Sequence, residues 1–340
     1  MKPGVLSVIG AVAGLIGVAF AGAAKADTTV LKLSHFLPPV HQHHAEILVP
    51  WAEELEAKSD GRLKIEIFPA QQMGKVPEQY NLARRGDADI AFVLHGIPGG
   101  RFKLVELSHL PFLFTSAEQA TSVLMDMVPD YLAAEHKGVK ILYLFAHAPG
   151  KIHTSEKPVR SVSDVDGLRI RHPSSVIGTT LQGWGASPKG LPPGQIAESL
   201  DKGVIDGLVM PYDGVWGFRL GKHLRYTTEV DFYVTTFALV MNPDSYQRLP
   251  ADLQQLIDRT TGKQAAIAVA RAWDAVEKPG KAYMVENGVE IISLDDAARA
   301  AFQEKVRATT DEQIAATEAD GLPARAFYDR MRELAAAYGR

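Results

Sequence analysis

Cysteine is absent from these 340 residues. That excludes disulfide cross-links, thiol nucleophiles and thiolate metal sites, so the fold must be held by its core alone. Excess positive charge is absent too. The chain has 36 Lys and Arg against 40 Asp and Glu, a formal net charge of −4. Such a balance gives no basic footprint for nucleic acid or for an anionic lipid surface. No Gly-x-Ser-x-Gly elbow, Gly-x-x-x-x-Gly-Lys-Ser/Thr loop or Gly-x-Gly-x-x-Gly turn occurs. The usual marks of serine esterases, P-loop enzymes and dinucleotide-binding proteins are therefore missing. Beyond residue 26 no apolar run is long enough to cross a bilayer.

Residues 1–26 read as a secretory signal. Lys2 precedes an apolar run from Val5 to Ala23, and Ala24-Lys25-Ala26 supplies an Ala-x-Ala cleavage site. A retained anchor is the alternative, but the run is marginal in length, rich in small residues and ends in a cleavage signal. The mature chain is expected to start at Asp27, exported and without stable membrane insertion. Loss of Lys2 and Lys25 leaves 34 basic against 40 acidic residues, a charge of −6. A chain above 300 residues can bury a sufficient core without disulfides, most naturally as two domains.

Apolar alternation predicts strands at 28–33, 62–68 and 89–94, with helices at 44–58 and 77–85 between them. This β-α-β-α-β order implies an α/β fold with a mostly parallel sheet flanked by helices. Ligands in such sheets sit beyond the carboxyl ends of the strands. Here those ends include Ser34-His35-Phe36 and His95-Gly96. Further strands are expected at 140–145, 168–171, 204–209, 235–241 and 289–292, and a single long helical stretch at 251–283 with Pro279 as a kink.

The stretch Asp164 to Ser175 carries the most suggestive chemistry. Arg169 and Arg171 stand two apart on one strand, so both face one side and Ile170 the other. A guanidinium at a strand end facing a cleft is a planar fork suited to a carboxylate. A surface pair with Asp164 or Asp166 is equally open from these residues alone. Trp184, Tyr212, Trp216 and Phe218 follow, either as core packing or as an aromatic wall beside the arginine. The densest metal-like group is His35, His41, His43 and His44, but the helical His-Glu-x-x-His spacing is missing. His35 and His95 fit better as hydrogen-bonding pocket walls, and no metal or cofactor is expected.

Several short segments occur in a characteristic order: Gly61 to Pro69 with Gln72-Met73-Gly74, Arg85-Gly86-Asp87-Ala88-Asp89-Ile90, and Leu110-Pro111-Phe112. Lys157-Pro158, Asp166 to Arg171, Gly185-Ala186-Ser187-Pro188 and Gly203 to Gly207 complete the series. Together they make nearly all of the mature chain similar to the extracytoplasmic solute receptors of tripartite ATP-independent periplasmic (TRAP) transporters. The resemblance implies a two-lobe periplasmic binding protein fold, joined by crossing strands and a long helix. Lobe 1 would comprise 27–150 plus 236–285, lobe 2 151–235 plus 286–330, and 331–340 a helical tail. It also implies that Arg171 binds a ligand carboxylate, that Arg169 is a surface residue, and that a membrane permease is the partner.

Two departures from the family pattern bear on the ligand. Where many relatives carry a second arginine, this chain reads Gly150 to Thr154, so Lys151 or His153 would replace it. Before Pro211, where polar residues are common, stand Leu208, Val209 and Met210. An apolar lining disfavours a second buried carboxylate. The expected ligand is a small organic acid, an apolar-bodied or aromatic monocarboxylate ahead of a C4-dicarboxylate, keto or hydroxy acid, or uronate. The candidate binding residues are Arg171, His35, Phe36, His95, Lys151, His153, Met210, Tyr212 and Trp216. The competing classes are an exported hydrolase or lyase using His35 and His95, a metal receptor, and an ATP-driven uptake receptor.

Overall fold

The computed structural model describes residues 28–97 and 99–338, together with residue 1. The expected cleavage segment therefore lies outside the described residues. Strands β1 (Thr29–Ser34), β2 (Leu63–Phe68), β3 (Ile90–Leu94) and β4 (Lys140–Ala146) appear in chain order, then β5 (Lys151–Thr154), β6 (Arg169–His172) and β7 (Ser187–Gly190). They are followed by β8 (Gly207–Met210), β9 (Tyr226–Glu229), β10 (Thr236–Met241) and β11 (Glu290–Ser293). One sheet has the order β2-β1-β3-β10-β4 and the other β11-β9-β5-β8-β6-β7.

The parallel expectation holds for β1 with β2 and β3, and for β6 with β7 and β8. It fails where the chain crosses. β10 runs antiparallel to β3 and β4, and β5 antiparallel to β8 and β9. β4 leads into β5 and β9 into β10, so two adjacent antiparallel strands pass from one sheet to the other as a ribbon. The helix Gly262–Glu286 makes the third passage, since β10 precedes it in the first sheet and β11 follows it in the second. The single helical stretch expected from 251 is in fact two helices. Thr261 is extended and Gly262 takes φ +79, a left-handed backbone that a side chain resists, so Ala251–Thr260 ends there.

Alternation along each strand distributes the core. In β3, Ile90, Phe92 and Leu94 enter one buried cluster and Ala91 and Val93 the other. An aromatic group dominates the first face: Phe145 lies 5.1 Å from Phe237 and 5.3 Å from Trp273 between ring centroids. In the second sheet, Ile152, Ile170 and Val209 face one cluster, and Leu208 and Met210 the opposite one.

The C-terminal region departs from the expected partition. Phe302 and Val306 pack under the second sheet, but Ile314, Phe327, Met331 and Ala335 belong to the core of the first. The helix Ala324–Ala337 carries Phe327, Met331 and Ala335 on one stripe, four apart, and buries it beside Val123 and Leu124. Residues 324–330 are therefore not part of the second lobe, nor 331–338 a separate tail.

Gly280, one residue after Pro279, marks a close approach of the long helix to Tyr212. A Cβ there would stand 2.8 Å from the backbone carbon and oxygen of Tyr212. In an exposed helix Gly→Ala gains about 1 kcal/mol, whereas overpacking costs about 1–3 kcal/mol. Gly280→Ala is therefore expected to lower Tm. A raised Tm in calorimetry would show that the two elements are free to separate.

Candidate ligand-binding site

A cavity lies between the sheets, at the carboxyl ends of their strands. Phe36 and Leu37 follow β1, Leu94 ends β3 and His147 follows β4. Arg171 comes from β6 and Met210 from the end of β8, with Asp213 just beyond. Tyr233 and Thr235 lie on the crossing before β10, and Trp273 projects from the long helix.

Arg171 is only 1% exposed. β6 puts it there because Ile170, its neighbour on the opposite face, is fully buried in the core of the second sheet. Its Nε donates to the Leu191 carbonyl at 2.8 Å, while Nη2 is buried without any partner. Burial draws the guanidinium down to about 10, offset only by the Tyr233 phenol, so it stays charged at neutral pH. Among the described residues no carboxylate pairs with it. Arg169, on the same face, is spent instead on Asp206. Its Nε donates to Oδ2 at 2.9 Å and its Nη1 to the Gly203 carbonyl at 2.5 Å. The partner is neither Asp164 nor Asp166, because the Asp206-Gly207 turn lies beside the start of β6.

Of the nine candidates, Arg171, Phe36 and Met210 line this cavity. The other six do not. His35 donates from Nε2 to His44 Nδ1 at 2.8 Å and accepts the Leu37 amide at Nδ1. His95 is bonded at both nitrogens, to Thr236 and His136. His153 bonds Thr227 and donates to the Met210 carbonyl at 2.9 Å. These rings are satisfied core histidines, so the two on which the hydrolase or lyase reading relied, His35 and His95, do not line the cavity.

Lys151 is buried, but its ammonium donates to Glu277 at 2.5 Å and to the Pro149 carbonyl at 2.6 Å, and lies 3.1 Å from Asp231. Burial alone would lower its pKa, yet Glu277 and Asp231 overcome that and raise it. It therefore ties the crossing strand to the long helix and is not a replacement for a second arginine at the cavity. Tyr212 donates to Glu229 at 3.0 Å, and Trp216 is half-buried outside the cavity.

Residue patterns did not point to His41, His147, Asp213, Tyr233, Thr235, Phe237 or Trp273 as walls. The only usable signal was position, since His147 and Thr235 flank strand ends. Asp213 Oδ1 and Thr235 Oγ1 are buried without partners, so three unpartnered polar atoms, with Arg171 Nη2, face one otherwise apolar space.

The family model described as bacterial extracellular solute-binding protein, family 7, matches residues 33–317. A TRAP solute-binding protein from Rhodoferax ferrireducens, solved with copurified benzoate, is 29% identical with TM-score 0.89, over 91% of this chain and 98% of that one. A marine metagenome TRAP solute-binding protein specific for aromatic acid ligands, solved with 3-hydroxybenzoate, is 33% identical with TM-score 0.89, over 93% and 100%. A TRAP periplasmic solute-binding protein from Bordetella bronchiseptica, solved with (R)- and (S)-mandelate, is 31% identical with TM-score 0.83, over 91% and 99%.

The buried histidines set the pH response. Burial brings His35, His41, His109 and His147 to about 3, and His136, His153 and His172 to about 4. His43 and His95 are lowered well below the usual value for the same reason. In the unfolded chain each ring takes a proton near 6.5. Above that pH both states are neutral and these rings add no slope. Below it the unfolded state binds more protons, so stability falls progressively toward pH 4, by at most about 1.4 kcal/mol per ring per pH unit. The carboxyls that burial raises, Glu106 to about 7 and Glu135, Asp213, Asp274 and Glu277 in the same direction, act in the opposite sense but are outnumbered. Urea midpoints should therefore drop steeply from pH 6.5 to 4.5. A flat profile would mean that the rings are protonated in the fold.

Proposed function

Because the chain belongs to the bacterial extracellular solute-binding proteins of family 7, the solute receptors of TRAP transporters, we propose that its cavity captures a monocarboxylate with an aromatic or otherwise apolar body. It is a transport receptor and not an enzyme. The single observation that supports the ligand class is the Arg171 guanidinium, buried with Nη2 unpartnered and facing a space walled by Phe36, Leu94, Met210, Phe237 and Trp273. Taking a cation out of water without a counter-ion costs several kcal/mol, and a ligand carboxylate repays it. The apolar walls then enclose the rest of the acid. A second ligand carboxylate would be desolvated without a cation to meet it. The benzoate, 3-hydroxybenzoate and mandelate of the three similar structures belong to this ligand class. In this reading the precursor is cleaved after Ala26, the mature receptor works in the periplasm, and a TRAP membrane permease receives the acid.

A thermal-shift screen of benzoate, mandelate, succinate and glucuronate, followed by titration calorimetry, tests this. The aromatic acids should raise Tm by mass action. Arg171→Ala should weaken their binding by about 3–5 kcal/mol, since the carboxylate is then buried alone. Arg171→Lys should also weaken it, because an ammonium lacks the planar fork, but by less, because the charge is kept. Arg171→Met should bind poorly while making the unliganded protein more stable than wild type. Unchanged affinity in Arg171→Ala, or a response to succinate alone, would refute the assignment.

A further inference from the structure

A second, small space adjoins the first and shares His41, Asp213 and Trp273 with it as a common wall. Arg171 lines only the first space, and Asp213 stands at the junction of both. The polar atoms at this far end are unusually idle. Asp213 Oδ1, Gln42 Oε1 and His43 Nε2 are all buried and all lack partners. Native interiors leave few such atoms, so three on one wall point to a group that comes and goes.

The proton inventory of that wall follows from its fixed neighbours. The Trp273 indole can only donate, and it does so to His43 Nδ1 at 2.9 Å. The His43 backbone amide likewise donates to His41 Nδ1, at 3.2 Å. Both rings are held neutral by burial, so each carries its proton on Nε2. His41 and His43 therefore present donors, while Gln42 Oε1 and Asp213 Oδ1 present acceptors. Burial, then the nearby Glu277 carboxylate, holds Asp213 well above the usual carboxylate range. Glu277 is itself paired with Lys151 and accepts the Asp213 amide at 3.0 Å, which fixes the backbone of Asp213. No described charge pairs with Asp213 across the cavity.

Building on the carboxylate-capture reading, we propose that Asp213, with His41 beside it, is a specificity site for a hydroxyl group on the ligand body, remote from the carboxylate held by Arg171. The ligand class is then a hydroxylated aromatic or similarly apolar acid. A hydroxyl both donates and accepts, which matches a wall that offers donors and acceptors together. A site built this way leaves its buried polar groups unpaired when the hydroxyl is missing, and that difference creates the selectivity.

Titration calorimetry on the full mature chain at pH 7 tests this with matched pairs. The probes are benzoate against 3- and 4-hydroxybenzoate, and phenylacetate against its 3- and 4-hydroxy forms. At least one hydroxylated acid should bind about tenfold or more tightly than its parent. In Asp213→Leu that ratio should fall to about one or invert, and in Asp213→Asn, which keeps a polar group of the same shape, it should fall less. Tm of both variants confirms folding, and the wild-type ratio needs no variant. Parents that bind as tightly as every hydroxylated acid would overturn the hydroxyl site while leaving the carboxylate capture standing. A preference that survives in Asp213→Leu, or stronger binding of the amino-substituted acids, would also overturn it. If none of these acids binds, the carboxylate-capture reading falls, and this site with it.

Discussion

A guanidinium held out of water with no counter-ion among the described residues is the constraint around which this molecule is arranged. Arg171 is 1% exposed and its Nη2 has no partner, a state that folding tolerates only because the rest of the structure compensates for it. The two sheets, their aromatic cores and the crossing ribbon supply that compensation. An apolar residue at the same place would be easier to bury. In the proposed reading, that electrostatic deficit is what would give a ligand carboxylate its preference for this cavity over water.

The chain avoids neutralising that charge internally, although acids are close in sequence. Asp206 is taken by Arg169, and Asp164 by the backbone amides of Arg160 and Ser161. Asp231 and Glu277 are taken by Lys151. Each of those pairs also fastens one element to another: the Asp206 turn to β6, and the crossing β5 to the long helix. Stability and binding are thus separated spatially. Charges that hold the scaffold are paired with one another, and the one on β6 has no counter-ion among the described residues.

The histidines show how far local pattern carries. His35, His95 and His153 stood at strand ends or on a crossing strand, where a pocket wall is expected, and all three are bonded into the core. Nothing within a few residues distinguishes a strand-end histidine that faces a ligand from one that meets another histidine. His35 meets His44 nine residues away, but His95 meets His136 across 41 residues and Thr236 across 141. Tyr212 and Trp216 fail for a related reason. Their short helix, Tyr212–Gly217, turns Asp213 and Gly214 toward the cavity and leaves the two large rings elsewhere.

The preference for Arg171 over Arg169 was implied by the family likeness, whereas most strands, most helices and the ordered short segments that carry that likeness were determined by the sequence itself. Those properties depend on alternation, helical spacing, and turn residues within a few positions of one another. The tertiary structure decided which polar groups converge. Trp273 reaches His43 across 230 residues, and Lys151 reaches Glu277 across 126. Such contacts follow from sheet order and from the three chain passages between the sheets, which no local period encodes. For the same reason Asp213 became visible as a wall of the cavity only after β8, the crossing ribbon and the long helix had been brought together.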